Sequence, residues 1–319
     1  MRLFRFLRSL AVLTAASLSL TAQASEPAFP TKAVRLIVAY SAGSAPDVVA
    51  RALGASLAQM WGHPVIVENR LGADGVIASD AVAKSAPDGH TLYLATMGNL
   101  ALAPATIAKL PYDARTAFAG VSFVASNPFA LLVGHDIPVR SMDDLIKLSK
   151  TKAGLRYGSA GTLGPLVGES INKSTGANLS YVPYKGAQPA IVDLIGGHID
   201  MVIADLPSLL PFHKQGKAKL LMVTAESRSP LAPDIPTTAE AGYKDLDFST
   251  WYAIAAPRAT PRAVVEKISK DAAEALKKPE VIGQLNQLGL VPSASTPEAM
   301  DQLIARDIDK WTKLVKPFK

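Results

Sequence analysis

Two short stretches of small and hydroxylated residues carry the chemistry-bearing signals of this chain. The first, AYSAGSAPD at 39–47, follows the apolar run VRLIV and leads into a helix-like segment opening on Pro46 and Asp47. The second is YGSAGTLGPLVGES at 157–170. Loops of this kind suit three chemistries: cradling a phosphate, presenting a serine nucleophile, or holding a free carboxylate.

The phosphate reading lacks its motifs. A P-loop ends its glycine run in Lys-Ser/Thr, and a dinucleotide fold carries G-x-G-x-x-G. The first loop has Gly43 alone and no lysine near it, while Gly158, Gly161 and Gly164 in the second match neither pattern. The hydrolase reading is sharper, because Ala39-Tyr40-Ser41-Ala42-Gly43 resembles the G-x-S-x-G elbow with its first glycine replaced. It would make Ser41 the nucleophile of a secreted serine hydrolase. Against it, the motif falls on the first strand, before any strand that could carry an oxyanion loop, and His63, His90, His135, His198 and His213 each stand alone. No histidine pair has metal-ligand spacing and cysteine is absent, so neither a metal nor another cofactor is expected.

A carboxylate needs less. A helix N-terminus leaves its first N–H groups unpaired and carries about half a positive charge, so a small anion binds there without arginine or lysine. Ala42, Gly43, Ser44 and Ala45 allow close approach to the backbone, and Pro46 suits the first helical turn. In the second loop Ser159 and Thr162 add hydroxyl donors to the amides of 161–164. One such loop reads most simply as a helix-capping turn. Two of them, at equivalent places in two α/β units, match the two ends of a dicarboxylate. Each helix end contributes roughly 0.3–2 kcal/mol of charge attraction, whereas micromolar binding takes about 8 kcal/mol. Direct hydrogen bonds, ordered water and closure of the two units must supply the rest.

The elements that hold these loops follow from periodicity. Strands are expected at 34–40, 65–68 and 91–95, with helices at 47–61 and 76–84 between them. The same grammar restarts with strands at 154–157, 179–184, 200–204 and 219–224 and helices at 165–175 and 188–195. This is an α/β chain with mostly parallel sheet. Two β-like stretches, 121–134 and 249–256, read as crossings between domains, before helices at 261–277 and 297–315. The expected organisation is 25–125 plus 250–319 as a discontinuous first domain and 126–249 as an inserted second. A single long doubly wound sheet is the alternative.

Arg2, Arg5 and Arg8, an uncharged stretch at 9–20 and Ala22-Gln23-Ala24 read as a secretory signal peptide, 1–24, cleaved after Ala24. About 12 apolar residues fall short of the roughly 20 that span a bilayer. Removing the leader takes three arginines from the 33 basic residues, leaving 30 against 27 acidic ones, and these are scattered, which excludes a nucleic-acid polymer as partner. Aromatic content is 6%, so the core must be largely aliphatic.

The ordered motifs KAVRLIVAYSAGSAPDVVAR, HPVIVENRLGADGVIASDAVAKSAPDGHTLYLAT, KLPYD, VPYKGAQPAIVDLIGGHIDMVIAD, DIPTTAEAGY and STWYAIAAPRATPRAVVEKI closely resemble the Bug family, the periplasmic receptors of tripartite tricarboxylate transporters. The resemblance covers the whole mature chain. It implies a two-domain type II periplasmic-binding-protein fold with a ligand cleft between lobes. It further implies a monomeric, non-enzymatic periplasmic protein that takes a small mono- or dicarboxylate and hands it to a membrane permease. Carried over by motif, the ligand-binding residues would be Tyr40, Gly43, Ser44, Ala45 and Asp47 in the first loop and Ser159, Gly161 and Thr162 in the second. Asp205, ending IDMVIAD, matches a family position facing the cleft.

Two departures stand out. The family's first loop usually reads P-G-G-x-T-D, and here Ser44 replaces the second glycine and Pro46 the threonine, which implies a different ligand or water arrangement. Leu71 replaces a frequent proline in a surface turn. An ionised Asp47 or Asp205 in the pocket would suit an amine, a hydroxyl or a bridging water rather than a bare anion, although Asp47 also serves its own helix. Trp251 and Tyr252 read as core rather than as a ligand platform. A ligand-loaded partner for an extracytoplasmic sensor fits the same fold.

Overall fold

The computed structural model describes residues 29–151, 154–160 and 163–315. The expected leader lies outside them, as do Gly161 and Thr162 of the second loop.

Strand β1 (Val34–Val38) is apolar and buried except at Arg35, which pairs with Glu68 of the neighbouring strand. Helix α1 (Ala45–Trp61) buries Val49, Leu53 and Leu57 from one face and ends at Gly62, whose positive φ of 64° lets its amide reach Ala58 O. The chain continues through β2 (Val65–Asn69), α2 (Val76–Ala83), β3 (Thr91–Thr96) and the four-residue α3 (Ala103–Thr106), then the long strand β4 (Phe118–Gly134). The second α/β stretch comprises α4 (Met142–Thr151), β5 (Leu155–Ala160), α5 (Leu163–Thr175), β6 (Leu179–Tyr184), α6 (Ala187–Ile195), β7 (Met201–Asp205), α7 (Leu206–Lys214) and β8 (Ala218–Val223). The chain returns through β9 (Ser249–Pro257), α8 (Arg262–Ala275), α9 (Pro279–Gln287), β10 (Val291–Pro292) and α10 (Pro297–Val315).

Among the described residues the strand path runs β2-β1-β3-β9-β4-β7-β5-β6, with β8 and β10 also paired to β4. Strand β1 is parallel to β2 and β3, and β5 is parallel to β6 and β7. Strand β9 lies antiparallel between β3 and β4. The two expected crossings are therefore neighbours: β4 pairs with β9 as far as Pro128 opposite Ser249. From Phe129 onward β4 pairs instead with β7, Phe129 facing Asp205, and with β8, Ala130 facing Val223. One strand thus serves two mixed sheets, giving the two-lobed α/β architecture that the sequence implied; the sheets are less parallel than expected, because the two crossings β4 and β9 pair antiparallel to each other and to β3, β7, β8 and β10.

Helix α10 fixes the crossing from behind. Its Met300, Ile304, Ile308 and Trp311 are buried, and Asp307 accepts the Trp251 indole N–H at 2.7 Å. Trp251 is core, as its sequence context indicated.

Candidate functional site

The first loop is built around Asp47. Its side chain is 2% exposed, and its oxygens accept the Gly43 amide at 2.9 Å, Nε and one terminal nitrogen of Arg51 at 2.9 Å each, and Asn69 Nδ2 at 2.8 Å. Burial pushes this carboxyl up, but the bonds from Arg51, Gly43 and Asn69 outweigh it and hold the group down at about 2. Asn69 Nδ2 also reaches Tyr40 O at 2.9 Å, so β2, the loop and the start of α1 form one rigid unit. Both Asp47 oxygens are occupied by the protein itself, which makes this residue a positioning group for the loop.

Gly43 has φ 81°, the left-handed region that favours glycine, whereas Ser44 has φ −72° and ψ 161°. The serine in place of glycine is therefore unstrained. Its hydroxyl turns back to Ser41 O at 2.6 Å and leaves the helix uncapped. Pro46 lacks an N–H, and among the described residues the amides of Ala45 and Asp47 have no protein acceptor. Two donors at the positive end of a 17-residue helix are thus unspent.

Beside this loop lies a cavity of about 810 Å³, walled by Tyr40 and Ser41, the turn at 72–75 and residues 98–107. Tyr40 Oη shares a hydrogen bond with Thr96 Oγ1 at 3.0 Å, and Thr96 Oγ1 donates to Asn99 Oδ1 at 2.9 Å. Asn99 is buried and its Nδ2 donates to Asp74 O at 3.2 Å. The turn takes four positive φ values in succession, 123° at Gly72, 47° at Ala73, 52° at Asp74 and 90° at Gly75. Ala73 and Asp74 each store roughly 1–3 kcal/mol in this conformation. A Cβ on Gly75 would stand 2.1 Å from Asn99 Nδ2, so the turn is pressed onto the asparagine.

The second loop follows β5. Ser159 is buried and its hydroxyl donates to Ile203 O at 2.6 Å, tying β5 to β7. A ligand therefore does not find that proton free. Leu163, which opens α5, shares a small void with Met97, Phe129, Phe248 and Trp311, so this loop abuts the end of β3. Asp205 caps α7, accepting Ser208 N at 3.2 Å and Ser208 Oγ at 2.7 Å through one oxygen. Tyr252, half-buried on β9, is pushed up to about 12 by burial, with Tyr40 and Asp205 adding to the effect. Tyr252 lies opposite Thr96 across β3 and β9, only half-buried although its segment reads as core.

The structure does not gather the sequence-derived residues into one pocket. Of that set, Tyr40 lines the cavity; Gly43, Ser44, Ala45 and Asp47 form the adjoining helix end, and Ser159 and Asp205 stand on the second sheet. Asp74 and Asn99 wall the cavity, with Thr96 bonded to Asn99 and Tyr252 opposite Thr96; none of the four is among the sequence-derived ligand residues, and Tyr252 was expected in the core. The hydrolase elbow gains no partner: among the described residues no histidine is hydrogen-bonded to Ser41. His63 reaches Trp61 O, His90 bonds Thr31 and Asp88, and His213 accepts the Leu220 amide. No group of metal-ligating side chains occurs among the described residues.

A strand shared by two α/β sheets, with uncapped or small-residue loops where they meet, defines the architecture of a periplasmic solute-binding protein. The chain belongs to the tripartite tricarboxylate transporter receptor family, whose description matches residues 49–319. It is 33% identical over 305 residues to BugT of Bordetella pertussis, covering 94% of each chain. Among solved structures it is similar to Rpa4515 of R. palustris with adipate, at 32% identity and TM-score 0.65, covering 90% of this chain and 97% of that one. It is likewise similar to MatC of Rhodopseudomonas palustris with bound malate, at 30% identity and TM-score 0.62, covering 90% and 100%. No helix among the described residues is long and apolar enough to cross a membrane.

Proposed function

We propose that this chain is a non-catalytic periplasmic receptor that captures a small organic carboxylate between its lobes and delivers it to a tripartite tricarboxylate-type permease. The observation that carries this reading is the open end of α1: Ser44 caps nothing, the Ala45 and Asp47 amides have no protein acceptor among the described residues, and a cavity without a lining cation reaches Tyr40 and Ser41 of the same loop. Solved relatives that hold malate and adipate support the same ligand class. We assign the first lobe to 25–125 plus 250–319 and the second to 126–249, because β4 changes partners at Pro128 and Phe129. Gly43, Ser44 and Ala45 offer backbone to the ligand, Tyr40 offers its ring and hydroxyl, and Asp47 holds the loop; Gly161 and Thr162 are assigned to the facing loop by motif, with Ser159 behind them and Asp205 at the cleft wall. Closure of the lobes on the acid is the signal the permease reads. Export follows from the leader, and mass spectrometry of protein recovered from the periplasm should find the chain beginning at Ser25.

The test is a thermal-shift screen of unfolded and refolded, ligand-free protein against mono-, di- and tricarboxylates and their amides. An acid at about 100 times its Kd adds roughly 2.7 kcal/mol of stability. A shift with an acid and none with its amide supports the reading. Folded protein that responds to no acid overturns it.

A further inference from the structure

We infer that Asp74 selects the ligand, favouring a carboxylate that also carries a protonated amine over the same acid without one. The inference rests on the carboxylate reading above and concerns the wall of the cavity rather than the helix end. Asp74 is exposed, lines the cavity, and is the one charged residue among its described lining. It makes no ion pair among the described residues, while its neighbours Glu68 and Arg70 pair with each other at 2.6 Å. No lysine or arginine lines the cavity to neutralise it. The carboxylate is also presented deliberately in conformational terms: Ala73 and Asp74 are the two non-glycine residues with positive φ in the described chain. The buried Asn99 holds them there, donating to Asp74 O at 3.2 Å, and Gly75 packs against Asn99 and Ala39. An acidic ligand bound at the nearby amides meets repulsion from Asp74 unless a positive group on the ligand faces it. Because Asp74 is exposed, such a pairing discriminates by about two- to fivefold.

The experiment is isothermal titration of the refolded, ligand-free protein with two matched pairs, succinate against aspartate and adipate against 2-aminoadipate. The variant is Asp74→Asn, since asparagine tolerates the left-handed conformation and keeps the turn. In the wild type at least one amino acid should bind about two- to fivefold more tightly than its partner. Asp74→Asn should bring that ratio close to one. Equal binding of both members of each pair by the wild type, or a preference unchanged in the variant, overturns the assignment while leaving carboxylate capture standing. Folded protein that binds no member of either pair removes the carboxylate reading and this inference with it.

Discussion

The Asp47 carboxylate and the Gly43 amide, four residues apart and 2.9 Å from each other, turn the loop back onto the first turn of its own helix. Arg51 neutralises the carboxylate from the next turn, so the helix end keeps its positive character. The carboxyl is held at about 2 in the folded chain against about 3.9 unfolded, a depressed value, so its contribution is present above pH 4 and lost as pH falls toward 2. That contribution is about 2 kcal/mol. Asp47→Asn should cost about 1–3 kcal/mol at pH 7. Denaturant titrations of both proteins between pH 5 and pH 2 should show the difference shrinking with acid.

Ser159 and Gly164 are in tighter contact than any side chain permits. A Cβ on Gly164 would fall 1.5 Å from Ser159 Oγ and 2.7 Å from Ser159 Cβ. Gly164→Ala should therefore destabilise the chain by about 1–3 kcal/mol in thermal denaturation. Adding Ser159→Ala should recover part of that loss, because it removes the Oγ overlap and not the Cβ approach.

Tyr40, Thr96 and Asn99 form a hydrogen-bond chain from the first loop to the strained turn. Tyr40→Phe and Thr96→Val should each cost roughly 0.5–1.5 kcal/mol. Since both remove the same bond, the double variant should cost less than their sum, and a double-mutant cycle by chemical denaturation measures the coupling.

Ser41 is exposed and engages the protein through its carbonyl, which accepts Ser44 N at 3.1 Å. Ser41→Ala should leave the fold intact and any acid-induced thermal shift within about 0.5 kcal/mol of wild type. A fluorophosphonate probe should leave wild-type Ser41 unmodified by mass spectrometry, and stoichiometric labelling would instead revive the hydrolase reading.

The scaffold was legible where burial leaves a plain mark. Val34–Val38 reads as a parallel strand because both faces are covered, and 297–315 reads as a helix because its apolar residues keep one face. Helix α7 is not expected from the sequence, since Pro207 and Pro211 argue against a helix; Pro207 falls in the first turn, where its missing N–H has no use, and Pro211 is accommodated inside. Helices α4 and α9 have no counterpart among the expected elements, although their apolar residues keep helical spacing. In the site, the small residues at 41–45 advertised a close approach to backbone. How the polar side chains are spent was not readable: Ser159 bonds a carbonyl 44 positions away, and Tyr252 gains its place only when β9 slots beside β3. Asp74 carried one unused signal, its flanking glycines, which mark a left-handed turn.

The position of β9 between β3 and β4 also dictates an order of assembly. The first sheet stays split, with a central slot open, until a segment about 120 residues downstream of β4 arrives to fill it. A chain that appears N-terminus first can complete its inserted lobe before its discontinuous one, so the earliest residues to appear are among the last to become secure. A truncation ending before Ser249 should leave 29–125 open to protease while protecting parts of 129–223. The candidate site thus matures only when almost the entire chain is present.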